Sequence, residues 1–427
     1  MKNKIALPII YIALFSALIS CSEGKKNRKD SLSISGLNKN GNIISIDLDR
    51  NIAKEEYNIL YTSALFKKAT PVILETAPES LLGSIDKMAV FNDLILVIDV
   101  RVAKGVFAFN KKGEFVRRIG SIGNGPGEYI RPNDFSIDTD NQLLYIIDNQ
   151  RKINCYKLPG GEFVNSVKLQ DENIRSNYIQ YYNGKMYADA NSYVDTEDEC
   201  MLREIDLKTG EQTACWLGNR EYNRGFNCRF GNNTFHTTED PFYDSPYSGP
   251  KFVQLCMDTI IALDKNGVIP FISVKSENFI TAEDIQKARK NDDNSNISLS
   301  SKLVQMKKVY QIRDYLEGRD FIYFEYSIGT QTGTVMHNTK ENSTNFISFV
   351  LDDLIYKTNF DKQEFGILPD FIYSDKDGVY GYVDTHYMEE FIRHVHEDKL
   401  NPDNAQVEKL MKLTEDSNPV LFYYEYE

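Results

Sequence analysis

One tryptophan, five histidines and six cysteines are spread over 427 residues. No Cys-x-x-Cys pair and no Cys/His spacing of a zinc site occurs, which excludes a structural zinc module. No glycine cluster ends in Gly-Lys-Ser/Thr, so no phosphate loop is present. No Gly-x-Ser-x-Gly occurs, so an α/β-hydrolase nucleophile elbow is excluded as well. Basic residues are the minority: 49 Lys and Arg against 62 Asp and Glu, a net charge of −13. A phosphate backbone calls for a basic groove, so nucleic acid is not a partner. A polybasic membrane-surface patch is missing too. After the first 20 residues no apolar run approaches the length of about 18 residues that a membrane span requires.

What the chain does have starts at its N-terminus. Lys2 and Lys4 precede an almost wholly apolar stretch from Ile5 to Ile19, which leads into Leu18-Ile19-Ser20-Cys21. That stretch, about 15 residues, falls short of the roughly 20 needed to cross a bilayer, which argues against an uncleaved anchor. The segment resembles a bacterial lipoprotein signal with its lipobox. The resemblance implies cleavage before Cys21, acylation of its thiol and new amino group, and, with Ser22 rather than Asp next, an outer-membrane address. Residues 1–20 are then the signal peptide and 21–40 a flexible lipidated tether, polar and free of aromatics. Residues 41–427 form the folded body. Two or three acyl chains anchor stably where one does not.

The body is rich in Tyr (26) and Phe (24), which favours strands. Asn92-Asp93-Leu94-Ile95-Leu96-Val97-Ile98-Asp99 recurs as Asn141-Gln142-Leu143-Leu144-Tyr145-Ile146-Ile147-Asp148, each followed by a short strand, a turn and Gly-Glu-Phe at 113–115 and 161–163. Gly113, Gly161 and Gly210 mark a period of about 50 residues with several strands per unit, the mark of a propeller. A single blade has two apolar faces and cannot bury both alone. The predicted fold is therefore all-β, a six-bladed β-propeller with a few helical insertions. One helix is predicted over Ala282–Lys290, capped by Thr281 with Asp284 at the third position. A second opens at Asn401-Pro402 and runs to about Leu413. The C-terminal strand within Asn418–Glu427, paired with Ile43–Asp47 or Val72–Glu75, is expected to close the ring.

Between the first two repeats lies Gly120-Ser121-Ile122-Gly123-Asn124-Gly125-Pro126-Gly127-Glu128-Tyr129. With the lipobox and the C-terminal Asn-Pro-Val-Leu strand, it makes the chain resemble the six-bladed β-propeller lipoproteins of Bacteroidota, with NHL-like inter-blade linkers. The resemblance transfers no activity, catalytic residue or cofactor.

The remaining candidates are weighed on chemistry alone. Of Cys155, Cys200, Cys215, Cys228 and Cys256, an exported chain can pair up to two sets. Buried free thiols are the preferred reading, and Cys200 and Cys215, flanking a predicted hairpin, are the pair placed to bridge. Asp99, Asp148 and Asp384 end strands and are read as turn caps rather than as a metal ring. His394 and His396 are read as two residues on one face of a strand at a solvated edge, so no metal is expected. The segment Asn219–Pro250 is rich in Gly, Pro and aromatics, with arginines interleaved. Arg220, Tyr222, Arg224, Phe226, Arg229 and Tyr243 are its candidate ligand-binding residues, on a rim loop. The expected function is binding of an envelope protein, or of a carbohydrate or peptide ligand. The alternative is a hydrolase or lyase acting on a glycan or peptide in the central channel. Titratable groups from several blades converging there would favour the alternative.

Overall fold

The computed structural model describes residues 35–38, 42–51, 58–171, 174–192, 200–226, 239–265, 267–290, 299–358, 366–401 and 404–426. The predicted signal, Cys21, most of the tether, Cys228 and Arg229 lie outside them.

Six sheets, each with four antiparallel strands and one of them with an added fifth, form a six-bladed β-propeller. Blade one is Lys87–Phe91, Leu94–Asp99, Gly105–Asn110 and Phe115–Ile119. Blade two is Pro132–Asp138, Leu143–Asp148, Lys152–Lys157 and Phe163–Lys168. Blade three is Ile179–Tyr182, Lys185–Asp189, Cys200–Ile205 and Gln212–Gly218. Blade four is Phe242–Tyr243, Lys251–Phe252, Thr259–Asp264 and Gly267–Lys275. Blade five is Val309–Glu317, Phe321–Ile328, Gln331–Asn338 and Ser343–Ile347. Blade six is Asp370–Ser374, Gly378–Val383, Val420–Tyr426 and Phe66–Ile73.

The core is the set of layers between blades. Every residue of Leu94–Asp99 is buried, because a blade is covered on both faces. That is why this strand reads as a continuous apolar run rather than as an alternation. Leu96, Ile98 and Val106 of blade one meet Phe135, Leu144 and Ile146 of blade two. Ile147 and Ile153 of blade two meet Ile179, Met186 and Ala188 of blade three. One large cluster joins blades three, four and five, another joins five and six, and Val72 and Leu421 meet Val97 and Phe107 between six and one. Each fully buried large apolar side chain contributes roughly 1.5–3 kcal/mol, and only neighbouring blades make that burial available.

Hairpin turns follow the repeat. Gly113, Gly161 and Gly210 have φ of 88°, 78° and 74°, a region that costs a side-chain-bearing residue energy. At Gly113 a Cβ would also fall 2.0 Å from the Ile73 carbonyl oxygen. The strand-ending aspartates cap turns. Asp99 accepts the N–H groups of Arg101 and Val102 on one oxygen and of Gly83 and Ser84 on the other. Asp148 accepts those of Gln150 and Lys152, and Asp384 that of His386. The glycine-rich linker is also structural. Ser121–Ile122 pairs in parallel with Glu128–Tyr129, the Glu128 carboxylate accepts the Gly125 N–H at 2.7 Å, and the Tyr156 hydroxyl donates to the Gly127 carbonyl at 3.0 Å.

The ring closes through the chain ends: Phe66–Ile73 pairs antiparallel with Val420–Tyr426. The predicted Val72–Glu75 partner overlaps that strand, whereas Ile44–Asp47 does something else. It adds in parallel to Gly267–Lys275 as a fifth strand of blade four. Upstream, the Ser35 N–H donates to the Cys215 carbonyl at 2.7 Å and that of Asn38 to the Val268 carbonyl at 3.2 Å. Downstream, Ile59–Tyr61 pairs in parallel with Phe349–Leu351, just past blade five. The N-terminal segment thus runs as a belt along the outer strands of blades three to six before the chain enters blade one.

Other expectations meet mixed outcomes. The helix Ala282–Lys290 is present, with Thr281 and Asp284 exchanging hydrogen bonds. A helix also spans Asn404–Leu410, shorter than expected. His394 and His396 are not on a strand. They lie on the helix Met388–His396, whose buried Met388, Phe391 and Val395 recur at helical spacing, and the ring of His394 is buried while His396 is exposed. Cys200 and Cys215 form a disulfide, against the free-thiol reading, while Cys155 and Cys256 are buried free thiols. Among the described residues no helix is long and apolar enough to cross a membrane.

Candidate functional site: a cavity on the propeller axis

The innermost strands and the segments that lead into them converge on a cavity of about 640 Å³, lined by residues from all six blades. This volume lies within the usual range of small-molecule sites. Because the cavity is the hub, each blade contributes side chains from its first strand or from the segment leading into it.

At its centre is Lys87, the first residue of blade one. Its ammonium lies 2.9 Å from an Asp134 oxygen of blade two and 2.8 Å from an Asp240 oxygen next to blade four. The other Asp134 oxygen accepts the Ile179 N–H of blade three at 2.8 Å, and Asp244 accepts from the Gln180 amide at 3.1 Å. Burial works against the Lys87 charge, but Asp134, Asp240 and Asp244 outweigh it and hold its pKa above the ordinary lysine range. Burial pushes the Asp134 carboxyl up to about 8, against the pull of Lys87. Burial likewise raises Asp244, with Lys87 opposing. The cluster holds more carboxyls than cations, so a proton is retained on the acid side.

A second charged group sits on blade five. Arg313 reaches Glu325 at 3.1 Å and Asp314 at 3.4 Å. Burial raises the pKa values of Asp314, Glu325 and Glu239. Nearby Asp370 rises to about 6 through burial and the charges of Asp314 and Asp384. On the other side, Arg101, Arg131 and Arg175 come from blades one, two and three. The Arg175 Nε donates to the Asn177 side-chain oxygen at 2.7 Å. Half-buried Tyr178, Tyr243, Phe371, Tyr373 and Tyr382 supply ring surface. Among the described residues no cluster of three or more His, Cys, Asp or Glu is shaped to hold a metal ion.

The rim segment behaves differently from its sequence-level reading. Tyr243 lines the cavity. Phe226 is buried in the core, and Arg224 donates to the Cys256 carbonyl and to Asp258 at 2.5 Å while lying over the Phe279 ring. Arg220 is exposed and Tyr222 half-buried on the turn Asn219–Tyr222, outside the cavity lining. The Tyr243–Pro250 stretch is pinned between blades. Buried Lys251 donates to Ser248 Oγ at 2.7 Å, to the Gly249 carbonyl at 2.6 Å and to Glu317 at 3.1 Å, and lies 4.3 Å over the Phe271 ring. Glu317 in turn accepts from the hydroxyls of Ser245, Ser248 and Tyr315. Burial lowers the pKa of Lys251. Burial opposes the Glu317 charge, but Lys251 and the serines outweigh it and hold that carboxyl below the usual range.

Sequence reasoning missed Lys87, Asp134, Asp240 and Arg313. The available signal was positional: a charged residue near the first strand of successive repeats, where the inner strand faces the axis rather than a neighbouring blade.

No curated protein matches the chain. The solved structure of a Bacteroides fragilis protein described as exported is similar, at 17% identity and a TM-score of 0.68, covering 90% of this chain and 100% of that one. That likeness shows the propeller fold. Weaker likenesses extend to a protein described as U3-55K (9% identity, TM-score 0.42, 84% of this chain and 98% of that one). They extend also to BamB from Moraxella catarrhalis (9% identity, TM-score 0.34, 64% and 68%). Neither carries an argument. A family whose members share one domain matches residues 43–425, the whole propeller with its belt, and the chain belongs to that family, described as Domain of unknown function (DUF4934).

Proposed function

We propose that this protein is a lipid-anchored envelope protein whose propeller binds a small polar ligand, a peptide or a carbohydrate fragment, in the axial cavity. The observation that carries the reading is a cavity of about 640 Å³ that all six blades line, with amide, guanidinium and aromatic side chains suited to a polar ligand. A rigid hub holds such groups without a further ordering cost on binding. The lipobox residues Leu18-Ile19-Ser20-Cys21 support the envelope address, and the similar Bacteroides fragilis protein is described as exported. NHL-like linkers fit the glycine-rich segment at 120–129. The test of the cavity is a block, Asn133→Trp, in the full-length mature protein. Peptides and oligosaccharides are screened by thermal shift. The reading expects at least one class to stabilise the wild type and not the block. A ligand that stabilises both proteins equally places the site elsewhere.

A specific observation favours a second reading, an enzyme of the hydrolase or lyase class. Titratable groups from several blades converge in the cavity: burial raises the Asp134 carboxyl, and Lys87 lies between it and Asp240. Turnover of a bound ligand that is lost in Asp134→Asn would establish it, and binding without turnover would remove it.

A further inference from the structure

The charges of the cavity are unevenly spread around the ring. Blades one to three bring Lys87, Arg101, Arg131 and Arg175 against Asp86 and Asp134, while blades four and five bring Glu239, Asp240, Asp244 and Asp314 against Arg313. In a six-bladed ring these are opposite arcs. Among the described residues, none of the three arginines lies within ion-pair distance of a carboxylate. On their side, Asp134 is taken by Lys87, and Asp86 is turned to the Val100 N–H at 2.7 Å and the Ser84 hydroxyl at 3.2 Å. Arg313 is the cation of the other arc, and it and Lys87 each face more than one carboxyl.

A ring of one sign recognises an ion of the opposite sign. A ring of interleaved signs neutralises itself. Segregated arcs do neither, and leave a field across the cavity that is strongest where water is displaced. Building on the reading that the cavity holds a ligand, we propose that this ligand is dipolar, a short peptide with free termini. Its carboxylate lies on the arginine arc of blades one to three, and its ammonium lies on the acidic arc of blades four and five. Guanidinium groups suit a carboxylate through paired N–H donors, and a compact ammonium suits a nest of carboxyl oxygens. Asn133 and Asn177, beside the arginines of blades two and three, match peptide amides, and Tyr178, Tyr243 and Tyr373 offer ring faces to side chains. A neutral sugar would use the hydroxyl-binding groups and leave both arcs uncompensated.

The experiment titrates the full-length mature protein, in detergent, with four tripeptide mixtures by calorimetry: free termini, N-acetylated, C-amidated and doubly blocked. The free mixture should bind best. Either cap should weaken binding about tenfold or more, which corresponds to about 1.4 kcal/mol per factor of ten. Arg131→Gln should erase the penalty of C-amidation only, and Asp314→Asn that of N-acetylation only. Arg175→Gln serves if Arg131→Gln does not fold. Equal binding of the four mixtures, or none, overturns the dipolar ligand. Binding of free peptides unchanged in Asn133→Trp overturns the cavity itself. Neutral oligosaccharides that bind the wild type and not the block keep the cavity and overturn the dipole.

Discussion

Two buried lysines hold carboxyls in this molecule, and they are held in different ways. Lys251 sits between blades four and five with its ammonium shared among a serine hydroxyl, a backbone carbonyl and one glutamate, and covered by an aromatic face. Its partner Glu317 takes further hydroxyl donors. Donors and acceptors balance there. Lys87 faces two carboxylates at ion-pair distance and a third nearby, at the wall of an open cavity. The acids outnumber it, and burial pushes Asp134 and Asp244 toward their protonated forms. A balanced, sealed pair is a fastener. An unbalanced pair beside an opening has charge left for something else.

The comparison breaks most visibly on removing one lysine at a time. Lys251→Met strands a buried carboxylate, and a loss of about 3–5 kcal/mol in urea-unfolding stability is expected. Adding Glu317→Gln to that variant should recover a large part of the loss, since both charges are then gone. Lys87→Met should cost less, about 1–3 kcal/mol at pH 8, because the cavity admits water and its acids can take up protons.

The pH dependence sharpens the contrast, because the signs are opposite. The folded pKa of Asp134 is raised, from about 4 in the unfolded chain to about 8. Its contribution is therefore present below pH 4 and lost as the pH rises toward 8. Glu317 is lowered, so its contribution is present above the ordinary glutamate pKa and lost only as acid drives the pH below it. Urea midpoints at pH 5 and pH 8 should show wild type weaker at pH 8, with Asp134→Asn flattening that slope by about 1 kcal/mol or more. The smallest effect is expected from Arg313→Gln, a partly exposed pair whose loss should cost under about 1 kcal/mol of stability.

The first three blades were legible in the sequence, because Gly113, Gly161 and Gly210 repeat with the strands on either side and local turn chemistry fixes each hairpin. The ring and its closing strand followed. Blades four to six were less so, since insertions break the period. The helix at Met388–His396 was read as strand although Met388, Phe391 and Val395 carry helical spacing. The cavity was not legible. Lys87, Asp134 and Asp240 stand 47 and 106 residues apart in the chain, and only blade packing makes them neighbours. Arg224 and Phe226 looked available because composition cannot tell a rim from a wall, and the fold spends both internally.

The outer belt decides how the molecule carries mechanical load. A pull on the N-terminus arrives first at Ser35 and Asn38, on the last strands of blades three and four. The blade-three strand bears Cys215, whose bond to Cys200 ties it to the strand inside it. The next structure to take the force is the four-residue parallel strand Ile44–Asp47. If it peels, the nine-residue strand Gly267–Lys275 becomes an open edge, of the kind that pairs with another chain. Tension would then turn a closed ring into an adhesive one, while the covalent bond secures the neighbouring blade-three strand.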